Sequence, residues 1–290
     1  MNKEKIAILI DSSTGVPKEY IEKYGIYVVP LNITIGEMTY IDGVDITSET
    51  VYKNLDKEIP KTSLPTGESI SNIFDKILEE GYEKVLVITI SSKLSGTGNF
   101  IKIISEDFEK LDVFVLDTKN IDLAAGMTAI AAARDVERGA TWDEVKERAC
   151  VNAQNTKVYF SVPSLNHLRK GGRVSHFTAI VGEGLSIKPI ISCDDEGILC
   201  VKDKVRGWNK TLKKMLDIVD EYLNLFDKED IVYNIAIAHG NVYEEATHMR
   251  SIFMKRLPEY NEVYEDILTP IMAIHGGPGV IGIGVQVLKE

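Results

Sequence analysis

Val85-Leu-Val-Ile-Thr-Ile90 running directly into Ser91-Ser-Lys-Leu-Ser-Gly-Thr-Gly98 is the stretch that decides the fold. The first six residues are apolar or β-branched with no helical period, the pattern of a strand buried on both faces of a parallel sheet. Asn99 to Phe108 then reads as a helix. A loop rich in glycine and hydroxyls between such a strand and helix lies where backbone N–H groups converge on an anion. Ser91, Ser92, Ser95 and Thr97 supply hydroxyls, and the loop holds no Arg or His, only Lys93. A phosphate-type cradle is the first expectation. The missing basic side chains shift it toward a small anionic or polar head group held by hydroxyls.

Working outward, the first half alternates strand and helix. Lys5 to Ile10 reads as a strand ending at Asp11-Ser-Ser-Thr14, and a short helix runs from Pro17 to Gly25. Ile26 to Thr34 and Met38 to Ile41 read as strands around Gly36, and Thr47 or Ser48 caps a further helix. Thr62-Ser63 is placed in a loop before a helix whose face carries Ile70, Ile73, Phe74, Ile77 and Leu78. Val113 to Leu116 is a strand, Ala124 to Glu137 an Ala-rich helix, and Thr141 to Glu144 a capping box opening a helix to about Asn152. Repeated βα units predict a parallel sheet with helices on both faces.

The second half has another texture. Val158 to Ser161 is a strand, Ser164 caps a short helix, and Lys170-Gly-Gly-Arg173 ends it. Leu185 to Ser192 and Ile198 to Lys204 form a hairpin, which makes this sheet mixed. Helices follow at Asn209 to Phe226 and Val242 to Arg256, with strands at Ile231 to Ala238, Glu262 to Leu268 and Val280 to Leu288. The chain is therefore expected to be α/β with two domains, residues 1–155 and 156–290.

Composition excludes several classes. A net charge of −11 argues against general affinity for nucleic acid or anionic membranes, which needs basic surface. Met1-Asn-Lys-Glu-Lys5 runs into a strand with no apolar leader, and no apolar run approaches a transmembrane segment. Three cysteines, an odd number, fit a reducing compartment, so the expected location is the cytoplasm. A turn at Glu196-Gly197 would set Cys193 opposite Cys200; buried reduced thiols are the expectation, a redox pair the alternative.

Polar groups gather beyond predicted strand ends at Asp11 to Thr14, Ser91 to Thr97 and Asp117-Thr118, with Thr62-Ser63 in reach. Taken singly, each segment reads first as a cap of the next helix. His275-Gly-Gly-Pro-Gly279 reads as a constrained loop, its glycines permitting close approach and positive φ. His239-Gly240 is a weaker case, and His167, His176 and His248 have no comparable setting. No HExxH, Walker loop or GxSxG elbow occurs, and no metal is expected. Gly171-Gly-Arg173 and Arg206-Gly207 put basic groups on softened turns, solvated by default or facing an acidic or phosphorylated partner.

The ordered set resembles the DegV family. It comprises Ile10 to Thr14, Thr62 to Pro65, Ile90 to Thr97, Asp117-Thr118, Leu168 to Arg173, Lys188-Pro-Ile190, Lys204 to Gly207 and His275 to Gly279, and spans about residues 4–288. The resemblance implies a fold similar to the dihydroxyacetone kinase substrate-binding subunit: an α/β/α domain with a parallel sheet, then a two-layer α/β domain with a mixed sheet. It implies a cytoplasmic carrier rather than an enzyme, with no cofactor, that binds one long-chain fatty acid between the domains. A separate ATP-binding fatty acid kinase subunit would be the partner, making acyl phosphate. Carried over by motif, Thr62 and Ser95 bond the carboxylate, His275 completes the cage by orienting Ser95 or contacting the carboxylate, Gly96 and Thr97 belong to the same loop, and Arg173 and Arg206 lie near the pocket mouth, where the kinase subunit docks. Ser91, Ser92 and Thr97 shape and cap the loop. Gly98-Asn99-Phe100, Asp122 and Ala124 depart from the family pattern; Asp122, if it faces the pocket, repels a carboxylate unless paired.

Three rival readings stay open. One is a small-ketone carrier of the dihydroxyacetone type, with His275 adding to the ketone. Another is an acyl hydrolase in which Ser95 attacks, His275 is the base and Asp117 or Asp11 orients it. The third is a structural fold without a ligand.

Overall fold

A computed structural model describes residues 2–55, 60–173, 187–226, 231–257 and 260–288. β1 (Ile6–Asp11) leads through α1 (Lys18–Tyr24) to β2 (Tyr27–Val29), and β3 (Asn32–Ile35) and β4 (Met38–Ile41) precede α2 (Ser48–Asn54). β5 (Lys61–Ser63), α3 (Gly67–Glu79), β6 (Lys84–Thr89), α4 (Thr97–Ser105) and β7 (Asp112–Asp117) come next. α5 (Asp122–Glu137), α6 (Trp142–Gln154), β8 (Thr156–Ser161) and α7 (Asn166–Lys170) occupy the middle of the chain. The remainder is β9 (Ile187–Cys193), β10 (Leu199–Arg206), α8 (Trp208–Leu223), β11 (Val232–His239), α9 (Tyr243–Arg256), β12 (Glu262–Ile267), α10 (Pro270–Gly276) and β13 (Ile281–Leu288).

The strands form a parallel sheet in the order β2-β1-β6-β7 and a mixed sheet in the order β10-β9-β8-β13-β11-β12. In the mixed sheet only β11 and β12 run parallel. The α/β fold with one parallel and one mixed sheet is the expected one. β1 shows why the parallel sheet reads as an apolar run. Ile6, Ile8 and Ile10 face α5 and α6, while Ala7 and Leu9 pack with Phe74, Ile77 and Ile101 of α3 and α4. Both faces are dry, so strand alternation disappears. α8 and α9 cover the far face of the mixed sheet through Met215, Val219, Met249 and Phe253. No helix among the described residues is long and apolar enough to cross a membrane.

Local signals behave as their chemistry requires. Gly25 ends α1 at φ 61°, Thr47 rather than Ser48 caps α2, and Thr141 with Glu144 closes a full capping box on α6.

Four expectations need correction. Ile26 to Thr34 is not one strand: β2 joins the parallel sheet and β3 a separate antiparallel sheet ordered β4-β3-β5. Pro30 stands at the break, where it has no N–H to give a ladder. Thr62 lies in β5, opposite Ile33, rather than in a loop. His275 lies in the last turn of α10, which Thr269 and Pro270 open. Cys193 faces Leu199 and Cys200 faces Ser192, so the two thiols project to opposite sheet faces. Asp195, Glu196 and Gly197 make a three-residue turn, with Gly197 at φ 81°, and the extra residue shifts the register by one. The predicted start of that hairpin at Leu185 lies outside the described residues.

α5 lies between the two sheets, and 13 of its 16 residues are buried. Alanine and glycine make it thin. A Cβ on Gly126 would sit 2.5 Å from Gly15 O, and one on Gly284 of β13 would sit 3.5 Å from the Ala124 Cα. Gly126→Ala is therefore expected to destabilise the protein by about 1–3 kcal/mol through overpacking. Gly67→Ala, at the roomier start of α3 where the nearest atom lies 3.5 Å away, is expected to be neutral or better. Thermal unfolding of the two variants beside the parent checks the contrast.

Candidate functional site

The β6–α4 loop is anchored before it is functional. Ser95 N and Leu94 N both donate to Ser91 O, forming a tight turn. Ser91 Oγ donates to Gly197 O at 2.7 Å and accepts from Lys93 N, tying the loop to the β9–β10 turn. A Cβ at Gly197 would lie 2.2 Å from that hydroxyl, so the turn needs glycine on steric as well as φ grounds. Gly96 caps α4 through its backbone, and the Ser95 and Thr97 hydroxyls lie 2.8 Å apart. Ser91 is thereby committed to holding the loop, and Ser95 is left facing the interior.

Two further elements meet that loop. β5 presents Thr62, whose Oγ1 lies 3.3 Å from His275 Nε2 at the end of α10. Gly277 and Gly279, at φ 75° and 82°, turn the chain away behind the imidazole. The ring packs on the α7 terminus: a Cβ at Gly171 would lie 2.3 Å from Nδ1, and that nitrogen is buried without a partner. Burial first, and the Arg173 charge second, push the His275 pKa down to about 4. The imidazole is neutral at physiological pH, with one nitrogen able to donate and one to accept.

Ser13, Thr62, Ser95, Arg173 and His275 line one narrow cavity of about 50 Å³, walled also by Leu94, Leu168 and Met272. A second narrow cavity of about 60 Å³ adjoins it, sharing Ile121, Leu168, Met272 and His275. Its wall is otherwise Val158, Phe160, Leu268 and Val280 with small backbone positions, and Asp122 as the other titratable group. The pair thus has a polar, cationic end and an apolar end, both narrow.

Not every singled-out residue converges here. Arg206 is exposed at the end of β10 and lines neither cavity. Asp117-Thr118 belongs to a different cleft, beside Lys157, Cys193 and Asp195, because Thr118 Oγ1 turns back to Thr89 O. Asp11 builds its own loop by accepting from Ser13 N at 2.8 Å, and Ser12 Oγ accepts from Leu31 N. His239 is buried, its pKa lowered by burial, and its Nδ1 accepts from Val242 N, a structural role. His248 is exposed, His167 packs over Gly277, and His176 lies outside the described residues. No metal-ligating cluster occurs among the described residues.

Arg173, expected near the pocket mouth, lines the cavity and supplies the cation that the hydroxyl loop lacks. One feature escaped the sequence reading: the apolar walls come from β8, α7, α10 and β13, and no motif marks them. Asp122, by contrast, was legible as a departure and does face the cavity.

Three buried carboxyls surround this region. Burial raises Asp11 to about 6 and Asp42 and Asp122 to about 7; Asp266 and Asp42 add repulsion at Asp122. In the unfolded chain these groups titrate near about 3.9. The stability they contribute is complete below about pH 4 and is lost as pH rises through about 6 to 7. His275 works oppositely, its contribution fading as pH falls from 6.5 through about 4. Asp122→Asn is expected to flatten the decline between about pH 4 and 8, melting close to the parent at the acid end and several degrees above it at the alkaline end. Parallel melts across that range check it; an unchanged slope refutes the assignment.

The arrangement has close counterparts. The model of a family described as "uncharacterised protein, DegV family" matches residues 5–287. A DegV domain-containing protein of Clostridium acetobutylicum is 35% identical over 280 residues, covering 97% of this chain and 98% of that one. A DegV family protein from Thermus thermophilus, described by its fatty acid binding, superimposes with a TM-score of 0.90 at 25% identity, covering 99% of this chain and 100% of that one. A stearic acid-binding protein from Eubacterium ventriosum gives a TM-score of 0.84 at 29% identity, covering 97% and 98%. With the motifs in order, both sheets in place and the match running nearly end to end, this chain belongs to the DegV family.

Proposed function

We propose that this protein binds one long-chain fatty acid and presents its carboxyl group to a separate ATP-binding kinase subunit, which makes the acyl phosphate. The observation that carries the binding is the adjacency of two cavities that share His275, Ile121, Leu168 and Met272 in their walls, one polar and cationic, the other apolar. The solved relatives described as fatty acid-binding and stearic acid-binding support the ligand class.

The Ser95 hydroxyl and the Thr62 hydroxyl donate to the carboxylate, with the Gly96 and Thr97 segment shaping the approach. Neutral His275 holds Thr62 in orientation. Arg173 adds a cation beside the head group, near the face offered to the kinase subunit; Arg206 marks the exposed rim of that face. Each charge-assisted hydrogen bond is worth about 1.5–3 kcal/mol. The tail contributes about 0.8 kcal/mol per buried CH₂ before ordering costs. Ligand and kinase contact fall between a first domain of residues 1–155 and a second of residues 156–290. The protein carries rather than turns over its ligand: the Ser95 hydroxyl is paired with Thr97 and His275 with Thr62, so the Ser95–His275 pair that a hydrolase of this kind needs does not form among the described residues.

Mass spectrometry of an organic extract of protein made in lipid-replete cells is expected to find one fatty acid per chain. Ser95→Ala is expected to fold normally and to bind about ten- to a hundredfold more weakly, the loss of one such hydrogen bond. Repeated absence of lipid from the parent protein would sink the proposal, and undiminished retention by the variant would remove Ser95 from the site.

A further inference from the structure

We infer that the apolar cavity selects long-chain acids carrying a hydroxyl partway along the chain, and that Asp122 is the residue that recognises it. The inference rests on the fatty acid reading above and deepens it. Asp122 is 7% exposed, and apart from His275 it is the only titratable side chain among the described residues in the wall of the apolar cavity. It does not line the neighbouring cavity where Ser95, Thr62 and Arg173 gather. Its carboxyl therefore meets the ligand away from the head group, along the tail.

The carboxyl lacks what a buried acid needs. Its Oδ1 has no hydrogen-bond partner, and no ion pair to Asp122 forms among the described residues. The Leu123 amide at the start of α5 favours the charged form but leaves Oδ1 unserved. The Tyr52 hydroxyl, whose ionisation the Asp122 charge opposes, is buried and unpartnered as well. Oδ1 itself is fully buried on the side of Gly15, where a Cβ would lie 2.7 Å from it, so a ligand hydroxyl would meet the carboxyl at its other oxygen. Asp122 also holds φ 51°, a conformation that few residues other than glycine, Asn and Asp adopt readily.

A plain hydrocarbon tail leaves this polar group unsatisfied, which disfavours its binding. A hydroxyl on the tail can donate to the carboxylate or accept from the protonated acid, so it satisfies Asp122 in either state. The same argument sets the site against chains without such a group, in the way that a pocket built around a substrate hydroxyl rejects the analogue lacking it.

The test loads purified protein by exchange with octadecanoic acid mixed with hydroxyoctadecanoic acids whose hydroxyl is moved along the middle carbons, and identifies the bound acids by mass. The parent protein is expected to retain at least one positional isomer about tenfold over octadecanoic acid. Asp122→Gly, which accepts the left-handed backbone, is expected to lose that preference while still retaining octadecanoic acid. Asp122→Asn is expected to keep part of it. A parent that holds octadecanoic acid as well as every isomer overturns the inference and leaves fatty acid binding standing, as does an unchanged preference in Asp122→Gly. Retention of no acid at all overturns both.

Discussion

A helix without a solvent face holds this molecule together. α5 is the layer shared by the parallel and mixed sheets, and its alanines and Gly126 keep it thin enough for both to close on it. Hydrophobic burial on two sides compensates for the modest side chains, since contact area rather than residue size sets the gain. The close approach of Gly126 to Gly15 and the tight fit of Gly284 against Met127 limit how the sheets are spaced. The site inherits that constraint. α5 begins at Asp122, on the wall of the apolar cavity, so its placement sets the cavity's width as well as the core.

The polar end is assembled from three remote parts of the chain, each first secured by its own backbone. The β6–α4 loop is tied down by Ser91, β5 by its pairing to β3, and α10 by its proline start and glycine exit. This division of labour separates hydroxyls that hold structure from those left facing the cavity. It also explains a neutral His275 beside a cation: burial and Arg173 act in the same direction on the ring. A neutral ring and neutral hydroxyls suit the carboxylate proposed for this site, since no second buried charge has to be desolvated, and Arg173 is the cation in that cavity's wall.

Buried acids mark the other side of the balance. Asp11, Asp42 and Asp122 each keep an oxygen without a partner. Natural folds seldom leave such atoms unmatched, and those that persist beside a cavity point to function. Asp11 and Asp42 are partly absorbed by loop and helix amides, from Ser13 and Ile271. Asp122 is the one that lines a cavity.

Much of this was written in the chain itself. The double-sided apolar run at β6, the caps at Gly25 and Thr141, the Ala-rich α5 and the ordered polar motifs are local patterns, and local backbone chemistry enforces them wherever they occur. They determine an α/β chain of the DegV family and name Ser95, Thr62 and His275 as residues to watch. Other features depend on contacts between distant segments. A three-residue strand at Thr62 has no period to read and exists only because β3 offers it a partner. The register of Cys193 follows from how Gly197 seats against Ser91. The convergence of Arg173 with the hydroxyl loop, and the diversion of Asp117-Thr118 to another cleft, depend on which backbone groups were still free to bond. The cavity itself is the space that packed side chains leave between two sheets and a thin helix, and only tertiary packing decides its shape, because no single segment contains it.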